Sequence, residues 1–135
     1  DAKFFAFDPK LKQRVFEAAL VPGASKYSAA FATGGKVFTT VGDKMFVFDP
    51  ASMKVVRTLD LPGAQVDISL GLSRDGQLIG LTTKAVYVVD PATGEVTRTA
   101  TSPVRIQCGF ALTDDAVYFG SGAELWRHRL ARSGP

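Results

Sequence analysis

The chain has 135 residues, enough for about one domain, and its 16 Lys and Arg residues nearly balance its 13 Asp and Glu residues. The net charge of +3 is scattered along the sequence, which argues against a nucleic-acid-binding protein, because such proteins gather basic and aromatic residues into one stripe. A single cysteine excludes an internal disulfide, and no apolar run reaches the ~18 residues that a membrane-spanning helix needs.

Three Asp-Pro pairs, at 8–9, 49–50 and 90–91, follow one another at a constant interval of 41 residues. The first pair is preceded only by the apolar segment 4–7. A longer unit then recurs: an Asp/Gly turn, a β-prone run, a short Gly- or Lys-containing turn and a second apolar run. The copies of this unit occupy residues 34–50, 75–91 and 114–129.

A further turn follows each Asp-Pro pair. Asp90-Pro91 leads to Gly94, which supplies the left-handed residue before a returning strand. Segments 10–12 and 51–53 have no glycine, so those turns must manage without it or carry strain. The predicted returning strands lie at 15–18, 55–59 and 96–99, and a fourth strand rich in small residues, suited to a crowded axis, lies at 27–32, 66–72 and 106–112.

Four short antiparallel strands repeated every ~40 residues predict a β-propeller. The fold class is therefore all-β: a propeller segment of about three four-stranded antiparallel blades, incomplete in one chain. We expect one domain over residues 1–135, with blade parts at 3–20, 25–61, 65–101 and 104–130.

The run Asp75-Gly76, then an apolar stretch, then Val-Tyr-Val-Val-Asp-Pro-Ala-Thr-Gly-Glu-Val over 86–96 resembles the blade repeat of pyrroloquinoline-quinone-type (quinoprotein-like) propellers. It is also similar to the NHL and YVTN-type repeats. The resemblance covers nearly the whole chain and implies a periplasmic or secreted protein. One departure is that the Trp common after the glycine turn is absent, since Trp126 lies on a different strand.

Closed propellers usually need ~4–8 blades, so this number of blades cannot close a ring unaided. Uncovered end blades would expose apolar faces. We expect either a homo-oligomer, in which the opening half-blade of one chain completes the closing part-blade of another to form a six-bladed dimer, or the remainder of a larger propeller.

Few residues suggest catalysis. Cys108 and His128 fall two strands apart, and the sequence favours a small buried cysteine and a polar histidine on a less buried terminal strand. The lone histidine lacks metal-ligand spacing. Asp49 and Asp90 precede prolines and are expected to cap turns, as is the pair at 114–115. We therefore predict no catalytic residue, metal or cofactor in this segment.

Polar residues at or near the start of the predicted innermost strands are better candidates, because loops from several blades converge there on an axial pocket. Such a pocket suits a small-molecule or glycan ligand, although a solvated channel without a ligand is the simpler alternative. The predicted ligand-binding residues are Lys26, Asp67, Arg105, Gln65 and Gln107, with Asp43, Lys44 and Lys84 as second candidates on the same face.

Two functions remain open. The first is a non-catalytic binding or scaffold module whose ring is closed by another chain or by missing sequence; assembly between chains could itself be the role. The second is part of a propeller enzyme, a quinone-dependent dehydrogenase or a sugar-active lyase or hydrolase, whose catalytic residues lie mostly outside this segment.

Overall fold

The computed structural model describes residues 2–24, 29–64 and 67–131. Thirteen β-strands and one turn of 3-10 helix, Pro62–Ala64, make up the regular structure of these residues. In chain order the strands are β1 (Phe4–Asp8), β2 (Gln13–Ala18), β3 (Ala29–Thr33), β4 (Lys36–Val41), β5 (Lys44–Asp49), β6 (Lys54–Asp60), β7 (Asp67–Leu72), β8 (Leu78–Thr82), β9 (Ala85–Asp90), β10 (Glu95–Thr101), β11 (Cys108–Leu112), β12 (Ala116–Ser121) and β13 (Glu124–Arg129).

These strands form four antiparallel sheets, each a simple meander. Sheet I contains β1 and β2, sheet II contains β3 to β6, sheet III contains β7 to β10, and sheet IV contains β11 to β13. The first strand of sheet III, β7, contacts both β3 and β11, so the first strands of sheets II, III and IV lie innermost. These four antiparallel sheets confirm the all-β propeller segment predicted from the repeat. The described part of the chain has no helix long and apolar enough to cross a membrane.

The core lies between the sheets, and sheet III contributes to both halves of it. Leu78 and Tyr87 face sheet II, whereas Ile79 and Val86 face sheet IV. Strand β8 is consequently buried at every residue. Each fully buried large side chain stabilises the fold by roughly 1.5–3 kcal/mol, so sheet III is the best-anchored element.

Sheet I is held differently, by an aromatic cluster. The ring centroid of Phe48 on β5 lies 5.2 Å from that of Phe4 and 4.8 Å from that of Phe16. The opposite face of sheet I remains uncovered, with Phe5 52% and Phe7 55% exposed. At the other end of the chain, Leu125 of sheet IV is 78% exposed. Both end sheets therefore present apolar groups to solvent.

The turns after the Asp-Pro pairs share one geometry. Each aspartate carboxylate accepts a hydrogen bond from a backbone N–H two residues later, for example from Ala92 to Asp90 at 2.8 Å. The residue before the returning strand is left-handed in all three turns: φ is 54° at Lys12, 55° at Met53 and 70° at Gly94. Of the two alternatives that the sequence left open for the glycine-free turns, the structure shows the strained one, because a positive φ is unfavourable for residues other than glycine.

One prediction about the core is wrong. Cys108 was expected to be a small buried hydrophobe, but its side chain is exposed. It is the first residue of β11, where the strand is only beginning to pair with β12, and it is matched there with Gly120. The position of Cys108 on a predicted innermost strand therefore did not ensure that its side chain is buried, because it lies at the end of that strand.

The left-handed residue at position 12 gives a direct test of turn strain. We expect Lys12→Gly to raise the free energy of unfolding by about 0.5–1 kcal/mol, since relief of the left-handed penalty exceeds the entropic cost of glycine. Urea denaturation measures the change. Lys10→Gly, in the same turn at a residue without positive φ, is the matched control and should be neutral or destabilising. Equal effects of the two substitutions would contradict the interpretation.

Candidate functional site

The predicted ligand face is defined by the sheet topology. In an antiparallel meander, the first strand begins at the edge where the hairpin between the second and third strands also lies. We call this edge the loop face. It comprises the hairpins β4–β5, β8–β9 and β12–β13 and the connections that lead into β7 and β11.

A recurring pair of backbone hydrogen bonds builds the loop face. The N–H of Leu61 donates to the carbonyl oxygen of Asp43 at 2.7 Å, and the N–H of Ser102 donates to that of Lys84 at 2.7 Å.

The second hydrogen bond joins successive sheets. A backbone N–H at the start of each innermost strand donates to a carbonyl oxygen in the hairpin of the preceding sheet. Asp67 donates to Gly42 at 3.0 Å and Ile106 donates to Thr83 at 2.8 Å. Asp67 and Ile106 are therefore structurally equivalent residues at two successive junctions between sheets.

At the first of these junctions the side chain of Asp67 is enclosed. It is 3% exposed, and its two carboxylate oxygens accept hydrogen bonds from the hydroxyl groups of Thr40, at 2.9 Å, and Tyr87, at 2.8 Å. Thr40 belongs to sheet II and Tyr87 to sheet III, so this carboxylate joins two sheets. A ligand-binding role of Asp67 stays a prediction; its position is that of a buried acceptor between blades.

Burial dominates the electrostatics of this group. Desolvation raises the pKa of Asp67 to about 6, although the hydrogen bonds from Tyr87 and Thr40 favour the ionised form and limit the rise. Burial and the adjacent carboxylate together raise the pKa of Tyr87 well above its ordinary value, so its hydroxyl group stays a donor.

Glycine makes room for this arrangement. Gly80 pairs with Tyr87 across β8 and β9, and a Cβ atom at Gly80 would lie 2.0 Å from the ring carbon Cζ of Tyr87. The tyrosine ring therefore lies over the glycine, which allows its hydroxyl group to reach Asp67. Any larger residue at position 80 would displace the ring.

Arg105 lies in a cleft on the loop face, formed by the β8–β9 hairpin, the end of β10 and the connection that leads towards β11. The cleft has a volume of about 370 Å³, and both Arg105 and Lys84 are exposed along it. The structure thus brings Arg105, one of the predicted ligand-binding residues, and Lys84, one of the second candidates, into the same cleft. Its other lining residues are Thr83, Thr101, Ser102, Pro103 and Val104.

The remaining predicted residues are placed differently. Gln107 is exposed, and its side-chain oxygen accepts a hydrogen bond from the N–H of Gly122 in the β12–β13 hairpin. Lys44 forms an ion pair with Asp60, 2.5 Å between Nζ and Oδ1, and the hydrogen bond to Asp60 raises the pKa of Lys44. Lys26 and Gln65 lie outside the described residues.

Residues with catalytic potential are not gathered together. Among residues 2–24, 29–64 and 67–131, no group of three or more His, Cys, Asp or Glu side chains is placed to hold a metal. His128 is half-buried, and burial lowers its pKa below the ordinary value. It lines a groove between β9, β10 and β13 rather than the loop-face cleft.

Four functional or structural contributors were missed from the sequence: Thr40 and Tyr87 around the buried carboxylate, and Thr101 and Ser102 in the cleft. Hydroxyl residues are common on strands and give no signal alone. Asp67 also carried no signal, because the predicted strands 66–72 and 106–112 place it opposite the polar Gln107. The hydrogen bonds of the structure instead make the apolar Ile106 its equivalent at the next junction. A charged group at a position that is otherwise apolar requires hydrogen-bond partners.

Comparison with known proteins supports the fold alone. No protein-family model matches the chain, and no curated protein sequence matches it. Among solved structures, the chain is similar to the WD40 β-propeller domain of Doa1, with a TM-score of 0.64 and 13% sequence identity. The match covers 86% of this chain and 40% of that chain, so the described fold corresponds to about two-fifths of the Doa1 domain's chain.

The buried carboxylate predicts a distinctive pH dependence. The folded protein binds a proton at Asp67 with a pKa of about 6, whereas the ordinary value is 3.8. The stability contributed by this group therefore falls as pH rises from about 4 to about 6, by roughly 3 kcal/mol in total.

Asp67→Asn removes the titration while keeping a polar side chain of the same size. We expect the difference in unfolding free energy between the variant and the unsubstituted protein to shift in favour of the variant as pH rises through that window. Urea denaturation at a series of pH values measures this difference. A difference that is constant with pH would contradict the assignment.

Proposed function

We propose that this chain is a non-catalytic β-propeller module that binds a ligand or partner through its loop face. The observation that carries the proposal is the contrast between two sets of polar groups. Asp67, the described carboxylate with a strongly raised pKa, is enclosed by the hydroxyl groups of Thr40 and Tyr87. The charged groups of Lys84 and Arg105, in contrast, are exposed along a cleft. An enclosed carboxylate suits a structural role, whereas exposed cations are able to contact a ligand or partner.

The quinoprotein-like, NHL or YVTN-type resemblance belongs to the same proposal. The repeat over 75–96 supports it, and this segment forms β8, β9 and the start of β10, which pair in antiparallel order within the four-stranded sheet III. A quinone-dependent dehydrogenase or a sugar-active propeller enzyme is the competing function.

A cofactor titration separates the binding module from the dehydrogenase. We expect no saturable, Ca²⁺-dependent binding of pyrroloquinoline quinone, because the described residues supply no cluster of His and carboxylate ligands that would hold the metal beside the cofactor. Absorbance and isothermal titration calorimetry measure binding. Saturable, stoichiometric uptake of the quinone that requires Ca²⁺ would overturn the non-catalytic function, whereas uptake independent of Ca²⁺ would reflect only the carboxylate groups of the quinone.

We further propose that a second copy of the chain closes the ring, giving a six-bladed dimer with about three blades from each chain. The uncovered faces support this: Phe5 and Phe7 at one end and Leu125 at the other are more than half exposed. In this arrangement the partner's sheet I lies beside β13 and extends sheet IV to a five-stranded blade. Its apolar face would then occupy the groove of about 300 Å³ between β9, β10 and β13.

The end faces can be tested without disturbing the core. We expect the double substitution Phe5→Ser and Phe7→Ser to convert a dimer into a monomer of 14.4 kDa, because it removes the apolar groups that the second copy would cover. Light scattering coupled to size-exclusion chromatography measures the mass.

Val56→Ser is the matched control. Val56 is 51% exposed, but it lies on β6, the outermost strand of sheet II, away from the end faces. The control should remain a dimer. A strict monomer for the unsubstituted chain would exclude closure by a second copy and would favour the remainder of a larger propeller as the covering element.

A further inference from the structure

We propose that the cleft between Lys84 and Arg105 binds a small ligand through an anionic group, a phosphate or a carboxylate. This inference rests on the proposed function and assigns a chemical class to its ligand. The internal repeat provides two versions of one hydrogen-bonded hairpin position on the loop face, and these versions carry different charges.

One backbone hydrogen bond is the same in both versions. The bond from Leu61 to Asp43 at one junction corresponds to the bond from Ser102 to Lys84 at the next, and both measure 2.7 Å. This hydrogen bond places Asp43 and Lys84 at equivalent positions, so their side chains can be compared. The connections that follow differ, because the 3-10 turn Pro62–Ala64 has no counterpart in the described connection between β10 and β11.

The charges of the two versions are opposite. At the first junction, Asp43 and Asp60 accompany one cation, Lys44, which pairs with Asp60. One interval of 41 residues later, these three positions hold Lys84, Thr101 and Ala85. Both acidic groups have been lost and a cation now stands where Asp43 stood.

Arg105 adds a second positive charge, and the seven lining residues include no Asp or Glu. Within the described residues, the ion pairs engage other basic side chains: Lys3, Arg14, Lys36, Lys44, Arg57 and Arg74. Lys84 and Arg105 form none of these. Two unpaired cations in a concave site attract anions, and Arg in particular can bind phosphate or carboxylate through two parallel hydrogen bonds.

Hydroxyl groups can complete the coordination. Ser102 accepts a hydrogen bond from the N–H of Val104 at 3.3 Å, which leaves its own O–H available as a donor. Thr101 is exposed beside it. At about 370 Å³ the cleft matches the lower end of the ~300–1,000 Å³ typical of small-molecule sites. The ligand is therefore small, with one anionic group between the cations.

The test is a titration followed by two-dimensional amide NMR at constant ionic strength. Inorganic phosphate is used in one series and succinate in the other. We expect saturable shifts confined to the amides of residues 83–84, 101–102 and 104–105. Stronger binding of phosphate would identify a phosphate-bearing ligand, and stronger binding of succinate a carboxylate-bearing one.

Two variants remove the site by different means. Lys84→Ala with Arg105→Ala deletes both cations, and Thr101→Asp restores the acidic group found at Asp60. Each should weaken binding by about tenfold or more, since charge-assisted hydrogen bonds are lost or opposed. All three residues are exposed, and thermal denaturation monitored by circular dichroism verifies folding. Lys10→Ala with Lys54→Ala, which removes the same charge elsewhere, should bind as the unsubstituted chain does.

Absence of saturable shifts with either anion, or equal weakening in the control, would overturn the anion assignment. That result would leave the non-catalytic role and the closure of the ring intact, because the quinone titration and the mass measurement test these separately. Ca²⁺-dependent uptake of the quinone would overturn the non-catalytic module instead, whatever the outcome with phosphate.

Discussion

Sheet III is covered on both faces, by side chains such as Phe38 and Met45 of sheet II on one side and Val117 and Phe119 of sheet IV on the other. The rest of the structure depends on this two-sided burial. A four-stranded sheet with two apolar faces is stable only between neighbours, because each uncovered face leaves several large side chains in water. The strands, the turns and the junction hydrogen bonds all serve to present successive sheets to one another at a constant spacing.

The same constraint explains why sheet I differs from the others. Its inner face is satisfied by the aromatic contacts of Phe4 and Phe16 with Phe48. Its outer face has no equivalent neighbour among the described residues, so Phe5 and Phe7 remain exposed. Alternate residues of a strand point to opposite faces of a sheet, and in a closed propeller neighbouring blades bury both faces. Phe5 and Phe7 lie on the face that such a neighbour would cover.

The sequence predicted the fold well because the relevant information is local and periodic. The Asp-Pro pairs located the turns. The absence of glycine at the positions equivalent to Gly94 left open whether those turns would be strained, and the positive φ of Lys12 and Met53 shows that they are. The site was predicted less completely. Position in the repeat placed Asp67 and Arg105 at the loop face, but it did not reveal that one is enclosed and the other exposed. That difference depends on partners in neighbouring sheets, such as Thr40, which only the three-dimensional arrangement brings into contact.

The hydrogen bond between Thr40 and Asp67 has a consequence for the order in which similar blades stack. If sheet III were to pack against a copy of itself, the position of Thr40 would be occupied by Leu81, and the carboxylate would face a methyl group. Leaving a buried acceptor without its donor costs about 1–3 kcal/mol. The hydroxyl group of Thr40 therefore distinguishes the correct neighbouring sheet from a similar one. It disfavours incorrect stacking among blades whose backbones resemble one another.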